Sequence, residues 1–378
     1  SLPELRTWWK RMWCDDTIRE RAAVFGGIVL LWAAYVAAVQ AVACAAARDM
    51  PAGSLPSRGH YLLHGFVDDL TSAPALARWD SIWFYGIARE GYTGAGPDSR
   101  HTPAFLPLYP LAMRLSGDLI GADYFRGGVW VSRLALLAAL CLLAVYVRET
   151  QPRATPVWPV LAALLAFPSA FILAAVYSES LFLALTLAAF VLAHRRRHAL
   201  AAGFVLLASL TRIQGLALIP GFAVLAVGDW RDGRRSVFSF APAAAGAMAY
   251  AAMAAACWAA FGDPFYHFAV KRELWHQGFT SPLLTLDQAI TTSSTALDQG
   301  GSGSLYTILQ LPCVYLAIFA GVVLAFEPGR RPWPELTFLA GCLAMSLFGG
   351  ALDGMPRFML VLFPVFVALG RLHARPAL

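Results

Sequence analysis

The sequence predicts an all-α polytopic membrane protein, and three observations lead to this fold class. Hydrophobic residues make up 58% of the 378 residues and charged residues only 14%, whereas about a quarter of the residues in a soluble domain are charged. The mean hydropathy is positive. Several apolar runs also reach the ~20 residues that a helix needs to cross a bilayer. We therefore expect a single membrane domain that occupies residues 1–378.

The apolar runs predict about ten transmembrane helices, whose limits carry an error of a few residues. The expected spans are 22–46, 127–147, 154–174, 178–194, 198–211, 213–228, 236–261, 304–326, 334–350 and 355–371.

The distribution of Lys and Arg predicts the orientation of these spans. If the N-terminus is cytoplasmic, more than half of the 29 basic residues fall in short cytoplasmic segments, as the positive-inside rule requires. Residues 1–21 then form a cytoplasmic lead-in, and the C-terminus is cytoplasmic as well. Residues 47–126 and 262–303 form two large outer loops, the first with interfacial amphipathic helices.

The segment 101–121 is apolar enough to be a further span, but its prolines argue against a crossing. Pro103, Pro107 and Pro110 interrupt the backbone bonding of a helix, and a crossing here would place the basic run 194–198 on the outer side. We expect a helix that dips into the outer face without crossing. An eleventh full span is the alternative.

Residues 73–90 predict an amphipathic helix in the first outer loop. Thr71 or Ser72 can cap its start, and Gly91 suits the left-handed position at its end. Such a helix lies at the membrane interface, with tryptophan at headgroup depth. Its apolar stripe comprises Leu76, Trp79, Ile82, Trp83 and Ile87, and its polar side carries Ser81, Tyr85 and Arg89.

Asp80 stands at the border of the two faces of this helix. The flanking tryptophans exclude water from one side of its carboxylate, which favours a role as a general base. The alternative is a solvated surface acid, or a partner for the neighbouring Arg78.

Motifs along the chain resemble those of the PIG-V family, the mannosyltransferases of GPI-anchor synthesis and their bacterial relatives. They are RWDSIWFYGIAREGY from Arg78, FLPLYP within 101–121, FPSAFILAAVYSESLF at 167–182, LTRIQG at 210–215, FGDPFYHFAVKRELW at 261–275 and MPRFMLVLFPVF at 355–366. Their order matches that of the family. Phe358 departs from the family pattern, which has tyrosine after Pro-Arg.

The resemblance implies a GT-C type glycosyltransferase in a bacterial plasma membrane, with its active site on the outer face. Such an enzyme takes a sugar, here mannose, from a polyprenyl-phosphate carrier and inverts the anomeric centre. The acceptor is then a hydroxyl of a lipid-linked glycan, a glycolipid, another lipid or a protein. One carboxylate of the first outer loop acts as base, which is Asp80 in this chain, and no metal is needed.

The leaving phosphate requires cations, and four basic residues are candidates. Arg212 is embedded in an apolar segment, where an arginine is costly and by default indicates a functional site. Arg357, Lys271 and Arg272 lie in the matched motifs. For each the alternative is a basic side chain at headgroup level. The candidates for binding or orienting the substrates are Arg78, Trp79, Trp83, His101, Tyr109, Tyr177, Glu179 and Gln214.

Other kinds of site are weakly supported. Asp68 and Asp69 are better explained by helix capping than by a metal, and His60 and His64 lack a further zinc ligand. The six cysteines are scattered singly, which predicts neither zinc nor a disulfide framework. The net charge of +6 comes from the ends of spans, so membrane lipids rather than nucleic acid are expected as partners.

Two other functions remain as alternatives to the transferase. A lipid or solute transporter would also have many spans and buried charge, although no internal repeat of the kind seen in many transporters is evident. A membrane scaffold without activity would use its acids only to set topology.

Overall fold

The computed structural model of the chain describes residues 16–48, 76, 80–92, 99–152, 155–234, 236–299, 306–326 and 332–373. The regular structure within these ranges is helical. The α-helices are α1 (Asp16–Arg48), α2 (Ser81–Glu90), α3 (Leu108–Ile120), α4 (Tyr124–Thr150), α5 (Val157–Leu165), α6 (Glu179–His194), α7 (His198–Ser209), α8 (Leu218–Arg231), α9 (Ala241–Phe261), α10 (Tyr266–Trp275), α11 (Pro282–Gln299), α12 (Gln310–Ala325), α13 (Trp333–Phe348), α14 (Met355–Phe358) and α15 (Phe363–His373).

Several of these helices are long and apolar enough to cross a membrane, which supports the predicted helical membrane protein. Three further helices, α6, α7 and α13, are apolar but shorter. The predicted number of ten spans therefore stays a prediction. The five long stretches in the described ranges are Glu20–Ala46, Tyr124–Thr150, Ile213–Arg231, Val237–Phe261 and Tyr306–Ala325, with a sixth if Met355–Val361 and Phe363–His373 count as one bent span.

Two of the predicted spans are not continuous helices, and proline lies at or beside each break. The expected helix 154–174 ends at Leu165 and resumes only as a 3-10 turn, Ala170–Ala174, on either side of Pro168. The expected helix 355–371 bends by 74° between Val361 and Phe363, just before Pro364. Proline removes a backbone donor and clashes with the preceding turn, which explains both interruptions.

Helix α6 is the centre of the bundle. Nearly all of its side chains are buried, as expected for a helix that is apolar all round. It packs against α4 on one side and α7 on another. Its first residue, Glu179, is fully buried, so one end of the central helix places a carboxylate inside the protein.

The segment 101–121 forms a 3-10 turn, Ser99–Ala104, followed by α3. Helix α3 has 13 residues and is therefore about 20 Å long, short of the ~30 Å hydrocarbon core. This length is in keeping with the predicted non-crossing helix. Close packing holds α3 on α4, because a Cβ at Gly127 would lie 2.4 Å from the carbonyl oxygen of Met113.

The predicted continuous helix 73–90 is interrupted at Asp80, although Leu76 before it is helical. Helix α2 starts at Ser81 and Asp80 is its N-cap, so Asp80 lies at the helix end rather than within it. Gly91 ends the helix at the predicted position with a positive φ of 76°, but its ψ of −163° lies outside the left-handed helical region. The assignment of Tyr85 to a polar face was wrong. Its ring stacks on Phe125 at 4.2 Å, because α2 packs into the protein rather than lying on its surface.

Several predictions concern residues outside the described ranges. These are the lead-in before residue 16, the caps at Thr71 and Ser72, and the candidates Arg78 and Trp79. The possible metal ligands His60, His64, Asp68 and Asp69 lie outside them too.

Candidate active site

The candidate site forms where three helices are interrupted. Residues Ala175–Ser178 separate a 3-10 turn from α6, Arg212 lies in extended backbone before the 3-10 turn Ile213–Ala217, and Arg357 belongs to the four-residue helix α14. Interrupted helices occur at membrane depth only where their backbone lines a cavity or is buried in protein. In this chain they place an acid and two arginines at one point.

Glu179 joins the two arginines. Its Oε1 lies 2.8 Å from Nη1 of Arg212 and 3.1 Å from Nε of Arg357. The carboxylate is completely buried and the Arg212 side chain is 8% exposed. Isolated charges would not be stable here, because burial of an ion is costly unless a partner compensates it. Glu179 therefore compensates the charge of both arginines.

Asp80 is brought to the same cluster by Arg357. Nη1 of Arg357 donates a hydrogen bond to Oδ2 of Asp80 across 277 positions of sequence. The backbone N–H of Asp80 donates to the hydroxyl of Tyr177 at 3.3 Å. The Asp80 side chain is 18% exposed, so the carboxylate reaches the cavity and does not stand in open solvent.

Aromatic rings hold the Arg357 guanidinium in place. Its central carbon lies 5.3 Å from the ring centre of Tyr177 and 5.5 Å from that of Phe358. Rings at this distance attract a cation through their quadrupole. Phe358, which departs from the family pattern, also lies 5.7 Å from the Arg212 guanidinium, and so contacts both arginines through its face.

Arg212 is fixed by hydrogen bonds as well as by Glu179. It donates from Nη1 to Oγ of Ser178 at 2.9 Å and from Nε to Oε1 of Gln214 at 3.3 Å. Its carbonyl accepts a hydrogen bond from the hydroxyl of Tyr250 at 2.9 Å. A guanidinium held in this way presents its N–H groups in one fixed orientation, which suits the oxygens of a phosphate.

Lys271 adds a third cation to the cavity. It lies on α10 and has no hydrogen-bond or ion-pair partner among the described residues. Burial and the neighbouring guanidinium groups of Arg212 and Arg357 lower the pKa of Lys271 to about 8. One turn earlier, Nδ1 of His267 lies 2.6 Å from the carbonyl oxygen of Pro103, and burial followed by the Lys271 charge lowers the pKa of His267 to about 3. His267 is therefore neutral at pH 7, and Lys271 is largely a cation.

These groups line a cleft of about 100 Å³. Its charged members are one carboxylate and three cations, so the lining has an excess of positive charge that suits a phosphate. The lining residues are Asp80, Phe84, Ala104, Phe105, Leu106, Tyr177, Ser178, Thr211, Arg212, Ile213, Gln214, His267, Lys271, Trp275, Gln277, Arg357 and Phe358.

An aromatic wall closes one side of the cleft. Phe105 and Trp275 line it, and Trp83 lies behind them, with ring centres 6.0 Å and 6.3 Å from theirs. Tyr109 lies further back. It is fully buried, and its hydroxyl lies 2.7 Å from Oγ of Ser132. Trp83 and Tyr109 were predicted to bind or orient the substrates. Neither lines the cleft, but both pack against residues that do.

A second, more apolar cavity of about 700 Å³ adjoins the cleft. The two share Ile213, Gln214, Lys271, Gln277 and Phe358 in their linings. Exposed phenylalanines from α10 and from the segment after it, and α13, form much of the rest. Arg272 lines only this second cavity, so the structure separates it from Lys271, with which it was grouped as a phosphate ligand.

The structure thus brings most of the predicted site residues together. Asp80, Tyr177, Gln214, Lys271 and Arg357 line the cleft with Arg212, and Glu179 lies directly behind them. His101 belongs to the 3-10 turn Ser99–Ala104, and its side chain lies outside the described ones.

Four polar residues of the cleft were not among the predicted site residues: Ser178, Thr211, His267 and Gln277. His267 had a usable signal, because it precedes Lys271 by four residues and the two positions share a face of a helix. In the described part of the chain, no group of three potential ligands among His, Cys, Asp and Glu is placed to hold a metal. The expectation of a metal-independent site stays a prediction.

The fold and the site define the class of protein: a polytopic helical membrane protein whose interrupted helices enclose a cavity with several charges. Intramembrane charges of this kind indicate a functional site.

Comparison with known proteins gives one family match. Residues 57–225 match the family model described as Mannosyltransferase (PIG-V). The match covers less than half of the chain, agrees with the family that the motifs resemble, and supports a glycosyltransferase activity. The matched part includes Asp80, Glu179 and Arg212 and ends before Lys271 and Arg357. No curated protein and no solved structure matches the chain.

Proposed function

We propose that this chain is an inverting mannosyltransferase that uses a polyprenyl-phosphate-linked donor and a hydroxyl of a lipid-linked glycan, glycolipid or lipid as acceptor. One observation carries the proposal: Asp80 meets the charge cluster of Arg212, Lys271 and Arg357 at a single cleft. A displacement at a sugar phosphate requires a base and a group of cations for the leaving phosphate.

The cations are suited to the leaving group. Arg212 and Arg357 are oriented by Glu179 and by rings, so little reorganisation is needed when negative charge develops on the phosphate. Lys271 supplies an ammonium that has no anionic partner among the described residues, which makes it the cation most available to the donor.

Asp80 acts as the general base in this proposal. The acceptor oxygen forms a bond to the anomeric carbon on the face opposite the phosphate, and the bond from that carbon to the phosphate oxygen breaks. The acceptor proton passes to Asp80, and the bonding electrons leave with the polyprenyl phosphate. The anomeric configuration is inverted because one displacement takes place.

The ion pair between Asp80 and Arg357 sets the order in which the donor binds and the acceptor is activated. With Arg357 on Asp80, one carboxylate oxygen is engaged and is a poorer proton acceptor. A donor phosphate attracts Arg357, since a guanidinium binds phosphate oxygens in a bidentate manner. Donor binding therefore frees the base, and the donor binds before the acceptor is activated.

The apolar second cavity is the proposed site of the polyprenyl chain. It adjoins the cleft at Lys271 and Phe358, so a chain within it can present its phosphate to the cations. We place this side of the protein at the outer face of the plasma membrane, because the basic run Arg195–Arg197 follows the opposite end of α6 and such runs remain cytoplasmic.

Substitution of each of the two neighbouring basic residues of α10 distinguishes their roles in donor binding. Lys271→Gln is expected to raise the KM for the donor about tenfold, the effect of losing one charge-assisted hydrogen bond. Arg272→Gln is the matched control, because it removes a charge one residue away that lines only the second cavity, and its expected change is less than about twofold. Equal effects of the two substitutions on donor KM would contradict the assignment of Lys271.

The lowered pKa of Lys271 predicts an alkaline limit to activity. Below pH 8 the ammonium is charged and binds the donor; above its pKa of about 8 it is neutral. The ratio kcat/KM for the donor is therefore expected to fall as pH rises through about 8, since this ratio reports groups of the free enzyme. Lys271→Arg keeps the charge and is expected to move the limit upward. An unchanged limit in that variant would show that another group titrates.

The proposed activity is tested with the purified chain in proteoliposomes, radiolabelled polyprenyl-phosphate mannose and lipid acceptors. We expect the label to move covalently from the carrier to an acceptor lipid. Label that crosses the bilayer while still on its carrier would indicate a transporter instead.

A further inference from the structure

A second polar cavity lies at the opposite end of the bundle from the candidate active site. Helix α6 begins with Glu179 at the active site and ends with His194 at this cavity, so about 23 Å of helix separates the two. The cavity measures about 900 Å³ and shares no lining residue with the cleft around Asp80.

A buried carboxylate is the most informative group of this cavity. Glu335 lines it and is 2% exposed. Its Oε1 accepts a hydrogen bond from the hydroxyl of Tyr146 at 2.7 Å and lies 2.8 Å from Nε2 of His194. Its Oε2 is buried and has no hydrogen-bond partner among the described residues. Such an oxygen is costly until a donor reaches it.

The position of Glu335 in the first turn of α13 explains part of this arrangement, since an acid is favoured there by the helix dipole. It does not explain the unsatisfied oxygen. A cationic donor that enters the cavity would complete the hydrogen bonding of Glu335.

The backbone around the cavity also favours a cation. The C-terminal ends of α4, α6 and α8 meet there, at Thr150, His194 and Arg231. The carbonyl ends of helices carry partial negative charge. Thr150, His194 and Arg231 each lie in the last turn of their helix, where this partial charge acts most strongly.

Two arginines add positive charge to the lining of the cavity. Arg371 is 6% exposed and donates to Oε1 of Gln151. Arg231 is exposed at the end of α8 and has no hydrogen-bond or ion-pair partner among the described residues. The other two carboxylates of the lining, Glu149 and Asp232, are already paired with Arg195 and Arg234. The lining therefore offers an unpaired carboxylate oxygen at Glu335 and a cationic position at Arg231, as a zwitterion requires.

The rim of the cavity is apolar and exposed. Val227 of α8 is 41% exposed and Trp333 at the start of α13 is 50% exposed. Tryptophan at the end of a membrane helix lies at headgroup depth. A ligand in this cavity is thus in contact with the lipid phase as well as with charged groups.

We propose that this cavity binds the headgroup of an amine-bearing phospholipid of the phosphatidylethanolamine type. Its ammonium contacts Glu335 and the carbonyl ends of the helices, its phosphate contacts Arg231, and its acyl chains leave past Val227 and Trp333. The site is separate from the proposed transferase site and does not depend on it.

Binding is measured by titrating the purified full chain in detergent and detecting the intact complex by mass spectrometry. The probes are dihexanoyl phosphatidylethanolamine, dihexanoyl phosphatidylglycerol and free phosphoethanolamine. We expect the ethanolamine lipid to bind about tenfold more tightly than the glycerol lipid, as one charge-assisted hydrogen bond predicts. Glu335→Gln is expected to abolish this preference, whereas Glu20→Gln, which removes an exposed acid paired with Arg148, is expected to retain it.

Arg231→Ala provides a second variant, whose exposed position leaves folding unaffected. It is expected to weaken the binding of both lipids by a similar factor. Equal affinity of wild type for the two lipids, or an unchanged preference in Glu335→Gln, would overturn the proposal. If free phosphoethanolamine bound as tightly as the lipid, the proposal that the ligand is a lipid would be overturned.

Discussion

Replacing Asp80 by asparagine is expected to reduce sugar transfer by about 10²–10⁴-fold, the usual contribution of a positioned general base. Asparagine has the shape of aspartate but cannot accept the acceptor proton. Its amide oxygen still accepts a hydrogen bond from Arg357, and Glu179 continues to neutralise that arginine at 3.1 Å. The variant is therefore expected to fold and to bind donor at least as tightly as the wild type, because a neutral amide holds Arg357 less strongly, so the loss should appear in kcat.

The matched control is Asp118→Asn, which removes an exposed acid of α3 that contacts neither the cleft nor the cations. Initial rates of transfer from labelled donor, measured with both variants in the same vesicles, check the prediction. Transfer by Asp80→Asn at a near wild-type rate would remove Asp80 from the chemistry.

Glu179→Ala is expected to have the largest effect on stability, about 3–5 kcal/mol, the usual result of breaking a buried ion pair from one side. The substitution leaves Arg212, which is 8% exposed, and Arg357 without the carboxylate that both contact. The two guanidinium groups then repel each other in a medium where water cannot screen them.

The thermal unfolding midpoint in a single detergent measures this effect. Glu20→Ala is the control, because it breaks an exposed pair with Arg148 at 3.3 Å, and such pairs contribute about 0–1 kcal/mol. Equal midpoints for the two variants would show that Glu179 does not hold the cluster together. Added donor is expected to recover part of the loss, since its phosphate supplies negative charge to the same arginines.

Local features of the fold could be predicted from the sequence, because hydropathy and capping act over a few residues. The apolar runs located the helices, and Gly91 marked the end of α2. The face of α2 that carries Tyr85 was misjudged for a physical reason. The amphipathic pattern cannot distinguish a helix at the lipid interface from one that is covered by other aromatic residues of the chain.

The site was predicted residue by residue but not as an arrangement. Asp80 and Arg357 are 277 positions apart, and no local pattern encodes their contact. It arises where helix breaks meet. Pro168 and Pro364 mark two of these breaks in the sequence, but no proline lies beside the break at Arg212. The sequence also could not show which of Lys271 and Arg272 faces the cleft. Consecutive residues point in different directions on a helix, but which direction leads into the cleft depends on how the helix packs against the rest of the chain.

The most direct test of the account is the structure of the chain with a non-reactive phosphonate analogue of polyprenyl-phosphate mannose. The account predicts the phosphonate among Arg212, Lys271 and Arg357, the lipid chain in the adjoining apolar cavity, and Asp80 released from Arg357 beside the anomeric carbon. A phosphonate bound elsewhere, or an intact contact between Asp80 and Arg357 with the analogue in place, would contradict it.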